Sequence, residues 1–371
     1  MDLQALSLGL YVHVPFCANE CAYCNFYKQR PTRVLVQNYL SEIQQEYLQW
    51  REQLLQRKVN TLFFGGGSPS SLSCEQLSTL CEMCEELVPQ LSEWTVEISP
   101  TTVNLEKLKI LKAYSVTRIS MGVQSFQQET INYLGRRQSN VQVYRAYDWI
   151  RTAGFSNVNL DFIFPPNFLG DISLWQRDLD EMVRLKPEHI STYCLSFERE
   201  TGPFCKSTQV DEDREAQFYQ HTWDFLRDNG YEHYEVSNFA KPDHACLHNL
   251  NTWRMQEWIG LGPSAASQMN GQRFQNQHFA NGWLKEPKIN CENLSDEMLF
   301  VDSLVFGLRT RRGINLKALT RRLPQANAAK YEPLWSQFAD EKLIHYQDDN
   351  VYCTDKGLLV VDALAREIFN L

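Results

Sequence analysis

The sequence lacks any apolar run of the roughly 18–20 residues that a membrane helix needs. It also lacks a basic surplus: Lys and Arg total 36 against 45 Asp and Glu, a net charge of −9. The first absence argues against an integral membrane protein. The second argues against a dedicated nucleic-acid binder, because phosphate contact needs a basic surface. The opening stretch carries Asp2 and no basic segment, so it does not read as a secretory signal. Nor is there a disulfide framework, since the 11 cysteines are odd in number and spread over 371 residues. A cytoplasmic location is the expectation, and there a tight cysteine cluster points to metal.

What is present is an ordinary globular composition, 43% hydrophobic and 22% charged, enough for a large core. Strand-like runs fall at 10–14, 61–64, 95–98, 118–123, 158–164 and 189–195. Amphipathic helical stretches at 39–55, 75–87, 105–113, 141–153 and 174–185 separate them. Strand-then-helix order predicts an α/β protein with parallel strands, either a doubly wound sheet or a barrel. After residue 200 the pattern predicts a long helix at 212–229, one strand at 231–239 and a loop-rich, tryptophan-bearing stretch to about 290. Helical patterns at 296–308, 316–323 and 332–341 and a hairpin at 343–352 then suggest an α+β winged-helix-like unit. Three units are expected: 1–205, 206–294 and 295–371.

The strongest chemical signal is Cys17-Ala-Asn-Glu-Cys21-Ala-Tyr-Cys24, directly after the first strand. Three thiolates within eight residues suit one corner of a [4Fe–4S] cluster, whose fourth iron stays open to a small molecule. A structural zinc would need a fourth ligand, for which His13 is the neighbour. Gly65-Gly66-Gly67-Ser68-Pro69 ends the second strand, where glycines let backbone approach a ligand. Glu97, Gln124 and Asp161 fall on the next strands and Arg136 follows the fourth, where barrel chemistry collects. Cys74, Cys81 and Cys84 share a helix face and read as core. Arg309-Thr310-Arg311-Arg312 reads as a solvated basic face.

The C-x3-C-x2-C motif after a first βα strand resembles the radical S-adenosylmethionine (SAM) superfamily. That resemblance implies a partial (β/α)6 TIM-like barrel, a [4Fe–4S] cluster on Cys17, Cys21 and Cys24, and SAM on its open iron. Tyr11–Cys17, Gly65–Ser70, Met121–Phe126, Pro187–Ser191, Tyr234–Ala240 and Ile259–Pro263 are similar to the coproporphyrinogen III dehydrogenase-like branch, HemN and HemW. The resemblance assigns SAM contact to Tyr11, Tyr23, Gly67, Ser68, Glu97, Gln124, Arg136 and Asp161. Phe26 stands where HemN dehydrogenases carry a further cysteine, and only 16 residues precede Cys17. Both features favour the HemW side, which implies a heme chaperone with an acceptor hemoprotein and a reductant such as flavodoxin or ferredoxin as partners. Oxygen-independent coproporphyrinogen III oxidation is the alternative. The branch's His-Asn-x-x-Tyr-Trp motif reads here as His248-Asn249-Leu250-Asn251-Thr252-Trp253, and this nominates His248 and Trp253 for heme, with Cys246 as a softer ligand. The sequence departs from the branch pattern at Thr252, at Ala266 where histidine is usual, and at Phe164–Asn167.

Overall fold

The computed structural model describes residues 7–19, 21, 23–164, 172–194, 212–278 and 282–371. Six parallel strands lie side by side in chain order: β1 (Leu8–Val14), β2 (Val59–Gly66), β3 (Glu93–Ile98), β4 (Arg118–Gln124), β5 (Val158–Ile163) and β6 (His189–Tyr193). Helices Arg33–Gln56, Cys74–Met83, Leu105–Ala113, Asn140–Thr152 and Ile172–Leu185 carry the chain back between them. Capping explains several helix starts. Ser73 with Gln76, and Ser139 with Gln142, form reciprocal capping boxes. Residue 195, in the last expected strand, Cys205 and Pro165–Asn167 lie outside the described residues.

Strand alternation divides the sheet into two faces. Leu8, Leu10, Val12, Val14, Leu62, Phe64, Val96, Ile119 and Leu160 are buried on one face and join the helix-packed core. The other face bears Tyr11, His13, Thr61, Glu93, Thr95, Glu97, Arg118, Ser120, Asn159, Asp161, His189 and Ser191. A buried face this polar must satisfy its groups internally. It does so largely through one network: Asn159 Nδ2 donates to Ser120 Oγ (2.8 Å) and to Asp161 Oδ1 (2.8 Å), while its Oδ1 meets His189 Nδ1 (2.6 Å).

Beyond the sixth strand the fold departs from expectation. The run at 231–239 is not one strand. It is a tight hairpin, β7 (Glu232–Glu235) and β8 (Asn238–Ala240), which extends the sheet antiparallel to β6. The stretch to 290 is not loop-rich either. It holds the helix Leu247–Trp253 and strands β9 (Trp258–Leu261), β10 (Ala266–Met269), β11 (Gln272–Gln275) and β12 (Ile289–Asn293). β9 pairs parallel with β1, and β10 to β12 continue antiparallel. These strands are four or five residues long; β9 is apolar but too short to stand out, and β10 to β12 are largely polar, with β12 mostly exposed. The twelve-stranded sheet is open, with β12 and β7 as its edges among the described residues.

The C-terminal unit packs helices Asp296–Leu308, Leu316–Arg322, Glu332–Asp340, Asp355–Leu359 and Val361–Phe369 with a small sheet of β13 (Ile314–Asn315), β14 (Ile344–Gln347) and β15 (Asn350–Cys353). Asp348 and Asp349, at φ 52° and 63°, make the β14–β15 turn. The basic run at 309–312 is not a solvated face. Val236 N donates to Arg309 O and Arg311 N to Tyr234 O, stitching the run to β7. Arg309 covers Trp253 and pairs with Asp362, and Arg311 covers Trp223 and pairs with Asp355.

Candidate functional site

The cysteine loop leaves the C-terminal end of β1. Its root is zipped: Cys17 N donates to Gln29 O (3.0 Å), and Gln29 N to Pro15 O (2.6 Å). The three thiols are partly buried. Burial pushes Cys17 up to about 12, the neighbouring Cys24 and Cys21 add to the rise, and Lys28 and Arg136 oppose it. Cys21 is likewise raised by burial, with Arg136 as the main opposing charge. Holding these groups as thiolates therefore requires added positive charge, which iron supplies and which Arg136 and Lys28 already begin to supply. Lys28 Nζ donates to Cys24 O, tying its ammonium to the loop. This donor set fits an iron–sulfur cluster. Among the described residues, no group of three His, Cys, Asp or Glu is arranged to hold a single metal ion.

Arg136 is the latch between this loop and the sheet. Its Nη1 donates to Tyr23 Oη (3.1 Å), its Nη2 to Gly122 O (3.0 Å) and its Nε to Gln138 Oε1 (3.0 Å). Gln138 donates in turn to Val123 O. Gln124, at the end of β4, takes a left-handed φ of 69° beside a bulge in the β4–β5 register. Asp178 fixes the turn that follows, accepting from Ser125 Oγ (2.6 Å), Phe126 N (2.8 Å) and Gln127 Nε2 (3.1 Å).

The glycine run meets a stricter demand than ligand approach. A Cβ on Gly66, where φ is 103°, would lie 2.4 Å from the His13 ring, and one on Gly67 would lie 2.7 Å from Phe16 N. Gly67 N donates to Val14 O (2.9 Å) and Ser68 N to Phe16 O (2.8 Å), so β2 ends against the root of the cysteine loop. Gly66 N donates to Glu97 Oε2 (3.1 Å). Burial, with Asp161 adding, pushes Glu97 up to about 8. Burial also raises Asp161, against hydrogen bonds from Asn159 and Ser120. Two half-buried carboxyls on one face of the sheet are suited to a cationic group, which would take the place of a proton.

Tyr11, Tyr23, Gly67, Ser68, Glu97, Gln124, Arg136 and Asp161 thus gather with the three cysteines around the strand C-termini. Tyr11 Oη lies 3.0 Å from His13 Nδ1, and His13 Nε2 lies 2.9 Å from Tyr27 O. His248 and Trp253 are elsewhere. The Leu247–Trp253 helix closes the opposite, N-terminal end of the strands. Leu247 N and His248 N donate to the two oxygens of Glu93 (2.9 and 3.1 Å), and His248 Nδ1 lies 3.0 Å from Thr61 Oγ1. The His248 ring is buried under Phe63 (5.1 Å) and Tyr11 (6.5 Å), and burial lowers it to about 4. Trp253 faces Arg309 and Phe306 at the C-terminal unit. Cys246 is buried beside Glu93. Cys81 and Cys84 are core residues and Cys74 is half-buried.

Sequence reading missed Lys28, Gln138 and Asp178. Asp178 had a signal: it sits in the apolar stripe Trp175, Leu179, Met182 of its helix, where an acid needs a buried partner.

Residues 11–172 match the Radical SAM superfamily, and residues 294–360 match the HemN C-terminal domain. The heme chaperone HemW of Lactococcus lactis is 31% identical over 359 residues, covering 94% of this chain and 93% of its own. That of Bacillus subtilis is 30% identical, covering 97% of each chain. This chain belongs to the HemW family. The HemW protein of Escherichia coli is 35% identical over a shorter stretch, 70% of this chain and 69% of its own. The solved coproporphyrinogen III oxidase HemN of Escherichia coli superposes with a TM-score of 0.82 at 22% identity, covering 98% of this chain and 90% of that one. The chain therefore has the fold of HemN, a partial barrel with a C-terminal α+β unit. No helix among the described residues is long and apolar enough to cross a membrane.

Proposed function

We propose that this chain is a heme chaperone that carries a [4Fe–4S] cluster and binds SAM, and that it hands heme to an acceptor hemoprotein in the cytoplasm. The observation that carries the reading is the meeting of three thiols, the Arg136 latch and the Glu97–Asp161 pair at one end of the strands, in a chain of the HemW family. Cys17, Cys21 and Cys24 would hold the cluster, and Tyr11, Tyr23, Gly67, Ser68, Glu97, Gln124, Arg136 and Asp161 would line SAM. When bound, such a cluster offers a low-potential electron and one iron with an open coordination position. The chain's own part is charge and shape. Arg136 and Lys28 offset thiolate charge, Gln138 and Tyr23 aim the Arg136 guanidinium, and Glu97 ionises against a cationic ligand. A flavodoxin or ferredoxin is the reductant class this would need. His248 and Trp253 are the heme candidates from sequence, and heme would reach His248 only if its helix left the strand ends.

The test is an anaerobic heme titration of the cluster-reconstituted protein followed by Soret absorbance. Saturable, stoichiometric binding and transfer to an apo-hemoprotein are expected. Conversion of coproporphyrinogen III to protoporphyrinogen in the presence of SAM and a reductant, without heme transfer, would overturn the reading in favour of the oxidase.

A further inference from the structure

An axial heme ligand needs a nitrogen with a free lone pair and open space for the macrocycle. The chain has eight histidines, and the fold disposes of most of them. His13 and His189 are buried with both ring nitrogens engaged. His233 is held between Arg311 and Val236 O, and His221 meets Gln176 Oε1. His244 is half-buried with Nδ1 on Pro242 O. His248 is sealed under the strand ends against Thr61. Two imidazoles are exposed, His278 and His345. His345 lies in the C-terminal hairpin against Tyr352.

His278 is different in place and company. It stands at the C-terminal end of the strands, with its ring 6.0 Å from Tyr27 and close enough to His13 to disfavour a second positive charge there. Tyr27 follows the cysteine loop directly. Next to it Phe26 is 67% exposed, a large aromatic left in solvent beside the thiols. His278 has no hydrogen-bond partner among the described residues. The backbone leading to it is pinned: Gln277 O accepts from Ser264 N (2.9 Å), Asn276 N donates to Ala265 O (2.9 Å), and Asn276 Nδ2 reaches Gly262 O (2.7 Å). An exposed imidazole on a pinned backbone, with the Tyr27 ring 6.0 Å away, matches what one face of a metalloporphyrin requires.

We infer that His278 is the residue that takes the heme iron, with Phe26 and Tyr27 against the porphyrin, so that heme docks on the rim of the cysteine loop. This rests on the heme-chaperone reading. The experiment is an anaerobic heme titration, read by Soret position and affinity, of the reconstituted wild type and of His278→Ala, His345→Ala and His248→Ala. Melting temperature and cluster absorbance are measured alongside as checks on folding. His278→Ala should bind about tenfold more weakly or worse with a shifted Soret band, and added free imidazole should restore the band position. His345→Ala should match wild type. Wild-type affinity and an unshifted band in His278→Ala would overturn the assignment, as would loss of heme in a folded, cluster-loaded His248→Ala. No saturable heme in the wild type would overturn the chaperone reading itself, and the assignment with it.

Discussion

At the scale of single residues, the buried titratable groups set opposite responses to pH. His13 and His248 are lowered from 6.5 to about 4, and His233 to about 3, each chiefly by burial. Below pH 6.5 the unfolded chain takes up protons that the native chain refuses, so these histidines stabilise the fold at neutral pH and lose that effect as pH falls toward 4. Glu97 works the other way. Raised from 4.5 to about 8 by burial, it keeps its proton in the native state while the unfolded chain releases it. Its contribution is intact below 4.5 and is lost as pH rises toward 8. Melting of the cluster-free protein across pH 4–9 should therefore fall off on both sides of an optimum. Glu97→Gln should flatten the alkaline side and leave the acid side alone; an unchanged alkaline slope would contradict the assignment. Gln138→Leu would strand Arg136 Nε and Val123 O, at a cost of about 1–3 kcal/mol for buried groups left unmade. It should also weaken SAM binding in calorimetry, because the guanidinium loses its aim, and unchanged affinity would remove Gln138 from the site.

At the scale of elements, the cysteine loop and the strand-end residues were legible because their chemistry is local. Cys17, Cys21 and Cys24 sit within eight residues, and the strand period places Glu97 and Asp161 on the polar face. The role of the Leu247–Trp253 helix was not legible. His248 meets Thr61 across 187 residues of sequence, and nothing near either residue announces the contact. The family motif drew attention to His248, yet its immediate company is Glu93, Thr61 and Phe63. The glycine run was legible as a place for close backbone approach, but its main constraint comes from His13 on β1 and Phe16 at the root of the cysteine loop. Gly66→Ala brings a Cβ against the His13 ring at a positive φ, and should cost at least about 1 kcal/mol. A melting curve of the cluster-free variant matching wild type would show that the loop has room to yield. β9 to β12 escaped because they are four or five residues long and β10 to β12 are largely polar, so that pairing with neighbouring strands defines them and hydrophobic period does not.

At the scale of the whole molecule, the C-terminal unit is fastened by the seam at 309–312. Arg311→Ala removes the partner of Asp355 and His233 and the cover of Trp223, at about 1–3 kcal/mol. Amide hydrogen exchange should then quicken in β14 and β15 while β1 to β5 keep their protection; uniform quickening would mean that the two units unfold as one. The closure of the strand N-termini also has a consequence in time. Glu93 waits for a helix that begins 154 residues later in the chain. At roughly 5–20 residues per second of synthesis, that interval is about ten to thirty seconds. The root of the cysteine loop needs only Gln29 to close, and is in place long before. The growing chain therefore zips the root of its cysteine loop well before Glu93 meets the backbone of Leu247 and His248, and a ribosome stalled before Leu247 leaves the strand N-termini uncovered, with Glu93 lacking those two donors.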